Sequence, residues 1–264
     1  FKFRGGLLYI NDLEGKITKI NLTNMTHEEG FKGGRRIKIF EQTQIFDTEA
    51  NSVNQRYMFH AMDATIGAST GALWLFAGTG NYERIAEQKG DNLLLGINDQ
   101  FYPNFRVIPP SIRASDLSRC SDTTDDTSGA KCPNYPGNKG WYISLKDYKK
   151  VTAEPTVGSG VVLFPIYKPV SKDPCGLGDA FICAVDDECG TNVSSQLGPN
   201  EPEIDKKEKC KYVGSGVLSK IVLFGGNVFA NIAGETNEAL KDLVVLDGAV
   251  GDINTYRNSW RSNY

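Results

Sequence analysis

The sequence predicts an all-β fold, and three observations lead to this class. Candidate strands are short and frequent, as in Leu73-Trp-Leu-Phe-Ala77 and Asn92-Leu-Leu-Leu-Gly-Ile97. The chain has 28 Gly and 11 Pro among its 264 residues, so turn-forming residues recur throughout. Helical patterns are confined to residues 111–119 and 237–242, too short for a helical bundle. This combination favours a sandwich, a barrel or a propeller.

The first predicted strands are residues 7–10 and 16–22, which flank Asn11-Asp-Leu-Glu-Gly15, a segment typical of a hairpin turn. Residues 36–40 alternate polar and apolar side chains, the pattern of a half-buried strand. The strands at 73–77 and 92–97 are apolar on both faces, so we expect them to be inner strands buried on both sides. Further strands are predicted at 158–166, 181–185, 217–224, 227–230 and 256–261.

A weak internal repeat favours the propeller among the all-β architectures. Residues 9–22, 75–81 and 180–190 each contain a strand that runs into a turn containing Gly. Four-stranded antiparallel sheets repeated around an axis produce such a recurring strand-and-turn pattern without sequence identity. Residues 116–138 and 192–211 are too polar to bury a face, so we interpret them as two loop insertions on one rim of the scaffold. No domain boundary is predicted.

Composition excludes several classes of protein. The net charge is −3, so the chain lacks the basic surface that binds nucleic acid or anionic membranes. Its longest apolar runs, such as residues 71–78, are far shorter than the roughly 20 residues of a membrane-spanning helix. The chain begins with Phe1 rather than Met and shows no signal peptide, so we expect a processed or truncated start.

The cysteine pattern favours disulfides. The chain has six cysteines, no Cys-x-x-Cys pair and two histidines, which argues against a zinc site or a redox dithiol. Disulfides imply an oxidising compartment. The six candidates are Cys120, Cys132, Cys175, Cys183, Cys189 and Cys210. Of the many possible connectivities, we predict pairing of neighbours in sequence, which gives Cys120–Cys132, Cys175–Cys183 and Cys189–Cys210.

Five segments in order carry a resemblance to a known family. They are Tyr9-Ile-Asn-Asp-Leu-Glu-Gly-Lys-Ile-Thr-Lys-Ile-Asn-Leu22, Trp74-Leu-Phe-Ala-Gly-Thr-Gly-Asn-Tyr82, Asp91-Asn with Leu95-Gly-Ile-Asn-Asp99, Gly140-Trp-Tyr-Ile-Ser-Leu with Asp173-Pro-Cys, and Asn258-Ser-Trp-Arg261. This order resembles the C-terminal β-propeller region of the PilC/PilY family, the tip-located adhesins and biogenesis factors of type IV pili. Asn11 stands where the family pattern has Gly, and Lys19 lies near an expected Trp.

The resemblance implies that residues 1–264 are the C-terminal part of such a propeller, a fragment of a longer chain that contains part of its blades. The family's calcium loop would then lie upstream, so no cofactor is expected in this segment. The missing half of the propeller would come from its own N-terminal part or from another chain.

The resemblance also implies a function. We expect a non-enzymatic extracellular or cell-surface protein, at the pilus tip or outer membrane, that promotes fibre assembly and adhesion. Its partners would be minor pilins or the pilus tip complex, together with a host or abiotic surface. The alternatives are a quinoprotein-like propeller dehydrogenase and a purely structural component of an extracellular filament.

Individual site candidates are few. Asp122, Asp125 and Asp126 are candidate calcium ligands, but without the alternating spacing of a calcium loop they fit a solvated acidic loop better. Asp186, Asp187 and Glu188 stand where a strand enters a turn, and turn chemistry explains them at least as well as metal binding.

No catalytic residues are predicted. His27 and His60 are far apart in sequence, and no Gly-x-Ser-x-Gly segment supplies a serine nucleophile. Trp74, Trp141 and Trp260 are expected to pack between blades, although an exposed Trp would suit stacking on a sugar.

Overall fold

The computed structural model describes residues 6–22, 40–105, 111–120, 139–170, 176–194, 210–234 and 243–247. These residues form strands and one 3₁₀-helix, Ala114–Asp116. The strands are β1 (Leu7–Asn11), β2 (Lys16–Asn21), β3 (Gln42–Asp47), β4 (Asp63–Ile66), β5 (Leu73–Gly78), β6 (Leu93–Asp99), β7 (Ile112–Arg113), β8 (Ser118–Cys120), β9 (Gly140–Ser144), β10 (Lys150–Val151), β11 (Thr156–Gly158), β12 (Val161–Lys168), β13 (Asp179–Asp186), β14 (Cys210–Ser215), β15 (Val217–Leu218), β16 (Val222–Phe224), β17 (Asn227–Ala233) and β18 (Leu243–Asp247).

The strands pair into four sheets that follow one another along the chain. Sheet 1 has the order β1-β2-β3-β7, and sheet 2 has the order β4-β5-β6-β9-β8. In sheet 3, β10 and β11 both pair with β12, followed by β13 and β14. In sheet 4, β17 pairs with β15 and β16 on one side and with β18 on the other. The described pairings are antiparallel except β3–β7 and β8–β9, which the segment 111–120 contributes as it passes from sheet 1 to sheet 2.

The two inner sheets are buried on both faces along their central strands β5 and β12, which are apolar at almost every position. In β5, Trp74 and Phe76 lie in the core shared with sheet 3, whereas Leu73 and Leu75 lie in the core shared with sheet 1. The same alternation in β12 divides its side chains between sheet 2 and sheet 4. Successive residues of a strand point to opposite faces, so a continuous apolar run supplies two cores at once.

The sheets therefore stack face to face in the order 1, 2, 3, 4, with an apolar core at each of the contacts between them. This arrangement confirms the predicted all-β, partial β-propeller fold. Sheets 1 and 4 have four strands, as expected for blades, and sheets 2 and 3 have five.

Some predicted elements are wrong. The helix expected at 111–119 is instead β7, the short 3₁₀-helix and β8. The strand expected at 158–166 is cut by Ser159 and Gly160, both with positive φ, which turn the chain so that β11 pairs back on β12. The strand expected at 217–224 is likewise divided into β15 and β16.

Other predictions fall wholly or partly outside the described residues. These are the strand at 256–261, the short helix at 237–242, most of the strand at 36–40, and the greater parts of the two insertions. At the described ends of the insertions, residues 118–120 and 210–211 belong to β8 and β14 rather than to loops. The strands β3, β4, β10, β14 and β18 were not predicted.

Candidate functional site: sheet interfaces and outer faces

A disulfide joins Cys183 of β13 to Cys210 of β14, with their Cα atoms 3.8 Å apart. The two residues are opposite each other in the strand register. This bond contradicts the predicted pairs Cys175–Cys183 and Cys189–Cys210. The prediction assumed local loops, but strand pairing brings together cysteines separated by 27 positions.

Two further cysteines meet near the end of β13. Cys189 belongs to a disulfide, whereas Cys120 carries a buried thiol whose Sγ donates a hydrogen bond to the backbone oxygen of Cys189 at 3.2 Å. The predicted pair Cys120–Cys132 is therefore wrong. Cys132 and Cys175 lie outside the described residues.

The predicted calcium candidates Asp122, Asp125 and Asp126 lie outside the described residues. Within the described part of the chain, no group of three or more His, Cys, Asp or Glu side chains is placed to hold a metal ion. Nor does that part contain a helix long and apolar enough to cross a membrane.

The acidic turn after β13 joins sheet 3 to sheet 2. Asp186 Oδ1 accepts hydrogen bonds from the backbone amides of Glu188 and Cys189 at 3.0 and 2.8 Å, which is the turn role that the sequence suggested. The backbone oxygen of Asp187 accepts a bond from the Trp141 indole at 3.0 Å. Glu188 Oε1 accepts a bond from the Ser69 amide at 2.7 Å, in the β4–β5 turn.

Burial makes this turn electrostatically unusual. Asp187 and Glu188 are each 6% exposed, and Glu188 Oε2 is a buried oxygen without a hydrogen-bond donor among the described residues. Burial, with the neighbouring charges of Asp186 and Glu188, raises the pKa of Asp187 to about 6. Burial also raises the pKa of Asp186, although its two backbone amide donors oppose the change.

A buried ion pair joins sheet 1 to sheet 2. Lys19 Nζ donates to Asp99 Oδ2 at 2.6 Å and to the Asn104 backbone oxygen at 2.7 Å. The Tyr9 hydroxyl donates to the same carboxylate oxygen at 2.5 Å. The side chains of Lys19 and Asp99 are 0% and 1% exposed, so protein groups rather than water compensate the two charges.

Two other titratable groups lie near the edges of the sheets, Lys150 buried and His60 half-buried. Lys150 Nζ donates to the backbone oxygens of Ile85 and Glu87, and burial lowers its pKa to about 8. His60 stacks edge-on against Tyr82 with ring centroids 5.1 Å apart, and burial lowers its pKa. His27 lies outside the described residues.

Trp74 and Trp141 are completely buried between sheets 2 and 3, as expected for inter-blade packing. Trp141 packs edge-on against Phe164 with ring centroids 6.5 Å apart. Neither side chain is available to stack on a sugar, and Trp260 lies outside the described residues.

Among the described residues, the first and last sheets of the stack each expose apolar side chains on the outer face. Face 4, on sheet 4, carries Val222 and Phe224 of β16, Phe229 of β17 and Val245 of β18. The exposed fractions of Val222, Phe224 and Val245 are 52%, 74% and 49%.

Face 1, on sheet 1, carries Leu8 and Ile10 of β1 beside Ile20 and Thr18 of β2. Leu8 and Ile10 are 42% and 46% exposed. Their strand neighbours on the opposite side, such as Ile17 and Lys19, are fully buried against sheet 2.

This order of stacked sheets can be compared with known proteins. The chain is similar to the C-terminal domain of PilY1 from Pseudomonas aeruginosa. The crystal structure of that domain superposes with a TM-score of 0.57 at 14% sequence identity and covers 92% of this chain. The chain spans 57% of the length of the PilY1 chain that it matches. No protein-family model and no curated protein matched the sequence.

The match confirms the sequence-based resemblance to the PilC/PilY family at the level of the fold. Sequence reasoning located the inter-blade tryptophans and the acidic turn but missed the Lys19–Asp99 pair. A signal for it exists, because Lys19 shares one face of β2 with Ile17, and a charged residue in register with a core residue needs a buried partner. Faces 1 and 4 were also missed, since their side chains look like ordinary strand residues.

Proposed function

We propose that this chain is part of a non-enzymatic, extracellular protein of type IV pili that acts by binding in fibre assembly and surface adhesion. The observation that carries the proposal is the shared fold with the PilY1 C-terminal domain over 92% of the chain. The Cys183–Cys210 disulfide supports a location outside the reducing cytoplasm.

The construction of the molecule suits a binding role. Sheets packed through continuous apolar cores form a rigid body, and long polar connections at the rim of such a body commonly carry recognition. We propose minor pilins or the pilus tip complex as partners on one side, and a host or abiotic surface on the other. Calcium is proposed as a ligand of an upstream loop rather than of this segment.

The proposal is tested with the gene in its source organism. Deletion should reduce both the number of surface pili seen by electron microscopy and the number of cells retained on a surface, and the wild-type gene should restore both. The protein should also appear in the fraction of pili sheared from intact cells.

Unchanged piliation and adhesion after deletion would contradict the proposal. So would a visible absorption band from a quinone or haem bound to the purified protein, because that spectrum belongs to the dehydrogenase alternative.

A further inference from the structure

We propose that Lys19 and Asp99 form an isopeptide bond, so that a covalent cross-link joins sheet 1 to sheet 2 and the buried ion pair is the state that precedes it. Lys19 belongs to β2 and Asp99 to the end of β6, 80 positions further along the chain. The proposal does not rest on a role in pili, because the reaction takes place within the chain itself.

The first step is the contact between the two reacting groups. Lys19 Nζ lies 2.6 Å from Asp99 Oδ2. Because Oδ2 is bonded to Cγ, the nitrogen is also close to the carbon that it would attack. Reacting groups held about 3–3.5 Å apart in a fixed geometry react much faster than the same groups free in solution. The bond from Lys19 Nζ to the Asn104 backbone oxygen, at 2.7 Å, restricts the nitrogen to this position.

The second step is the exclusion of water. The side chains of Lys19 and Asp99 are 0% and 1% exposed, so no bulk water solvates their charges or competes with the amine for the carbon. A proton transfer from Lys19 Nζ to Asp99 leaves a neutral amine and a carboxylic acid, and it removes both charges from the interior, where each is costly. These neutral forms are the ones that condense to an amide.

The third step is the pair of donors around the carboxyl group. The Tyr9 hydroxyl donates to Asp99 Oδ2 at 2.5 Å, and the Phe101 amide donates to Oδ1 at 3.1 Å. Donors placed on the oxygens of a carbonyl group stabilise the negative charge that develops when a nucleophile adds to the carbon. Burial, together with the hydrogen bond to Asp99, raises the pKa of Tyr9, so the hydroxyl keeps its proton and remains a donor.

The reaction balances within the pair. One proton passes from Lys19 Nζ to Asp99 Oδ2, and the amine then bonds to Cγ. A second proton from the nitrogen passes to Oδ2 as the Cγ–Oδ2 bond breaks, and this oxygen leaves as water. The third proton stays on the nitrogen as the amide N–H, which can donate to the Asn104 oxygen, while Oδ1 becomes the amide oxygen. The step consumes no oxidant, reductant or other reactant.

The Lys16–Glu14 pair shows what the buried site adds. Its two side chains also make a direct contact beside the same hairpin turn, but they are 35% and 72% exposed. Water solvates both of these charges and competes for the carbon, so contact alone is not expected to give an amide there. This pair therefore supplies the control for the experiment.

Intact-mass spectrometry of the 264-residue chain tests the proposal, after denaturation and reduction of the disulfides. We expect a mass lower than that of the sequence by one water molecule. Digestion and tandem mass spectrometry should then yield a branched peptide that joins Lys19 to Asp99. This measurement is made on the wild-type chain, so it does not depend on whether a variant folds.

Four variants assign the bond to its residues. Lys19→Met removes the amine and Asp99→Ala removes the carboxyl group, so each should have the full mass of its own sequence. Lys16→Met, the control on the same strand, should still lack one water. Tyr9→Phe should slow the appearance of the linked form in freshly synthesised chain at least about 10-fold, because it removes one donor from the carboxyl group.

Three results would overturn the proposal. The first is a wild-type chain with the full mass of its sequence, which would make the ion pair the final state. The second is a loss of water that persists in Lys19→Met, as expected for a succinimide at Asp247-Gly248. The third is a branched peptide that joins other residues. A Tyr9→Phe chain that links at the wild-type rate would overturn the role of the Tyr9 hydroxyl. These masses are independent of piliation, so the proposed function is tested separately.

Discussion

Sheet 2 packs on sheet 1 mainly through aliphatic side chains and one buried ion pair, whereas its contact with sheet 3 adds four buried aromatic rings and an indole hydrogen bond to aliphatic side chains. Trp141 and Phe164 supply rings to the second interface, and Lys19 and Asp99 supply the charges of the first. The two faces of one sheet thus use different chemistry to fix their neighbours.

The two interfaces therefore differ in how much stability they contribute and in how they respond to a change of charge. Burying aromatic rings contributes large packing energy, and the hydrogen bond of the Trp141 indole offsets the desolvation of its N–H group. A buried ion pair contributes little net stability, but removing one member leaves an uncompensated charge. We therefore expect the sheet 2–sheet 3 interface to be the stronger, and the sheet 1–sheet 2 interface to be the more intolerant of a single charge change.

The largest effect is expected from Trp141→Ala. The change removes the contact with Phe164 and the hydrogen bond to the Asp187 backbone oxygen, and leaves a cavity in the core. We expect a loss of about 3–5 kcal/mol in the free energy of unfolding, measured by urea denaturation.

Tyr148→Ala is the control for Trp141→Ala, because Tyr148 is 45% exposed and its loss should change stability by less than about 0.5 kcal/mol. Gly96→Ala probes the same contact from the other side, since a Cβ there would overlap the indole of Trp141. A Trp141→Ala variant as stable as the control would show that the aromatic interface is not the stronger one.

The second effect is expected from Lys19→Met, compared with Lys16→Met on the same strand. Lys16 pairs with Glu14 at the surface, with side-chain exposures of 35% and 72%, whereas Lys19 is fully buried. Lys19→Met should cost about 3–4 kcal/mol, and Lys16→Met less than about 1 kcal/mol.

A double variant tests whether the two charged groups act as a pair. Combining Lys19→Met with Asp99→Asn removes both charges and keeps an oxygen to accept the Phe101 amide bond. Its cost should be smaller than the sum of the two single costs, because no buried charge is left alone. Additive costs in urea denaturation would mean that the pair acts as two independent polar groups.

The strands with a continuous run of apolar residues were predictable from the sequence, and so was the first turn. Gly15 has a φ of +77°, and its amide donates to the Asp12 backbone oxygen at 3.1 Å, as a hairpin turn between β1 and β2 requires. The continuous apolar pattern of 73–77 correctly indicated an inner strand, because alternation disappears when both faces are buried.

What could not be predicted depends on contacts distant in sequence. The Lys19–Asp99 pair spans 80 positions, and the Cys183–Cys210 bond follows from the pairing of β13 with β14 rather than from local spacing. The turn at Ser159 was missed although Gly158-Ser-Gly160 is a local turn signal, because the predicted strand was begun at Gly158 rather than after the turn. Local patterns contain no information about which strands become neighbours.

The smallest expected effect is a pH dependence of the free energy of unfolding, which should arise at the sheet 2–sheet 3 interface and not at the sheet 1–sheet 2 interface. Burial and neighbouring carboxylates raise the pKa of Asp187 to about 6 from its ordinary value of 3.8. The folded state then holds a proton that the unfolded state has already released between these pH values. Stability that is fully present below about pH 4 is lost as the pH rises through about 6, and we expect the loss to be no more than about 3 kcal/mol.

Asp187→Asn isolates this contribution, since the amide has the same shape and does not titrate. The difference in unfolding free energy between the wild type and the variant should change between pH 4 and 7, with the wild type losing stability as the pH rises. Lys19→Met, at the other interface, should leave that difference unchanged. Parallel curves for the wild type and Asp187→Asn would mean that the carboxyl group titrates as it does in water, so that the acidic turn contributes hydrogen-bonding geometry but no pH dependence to the sheet 2–sheet 3 contact.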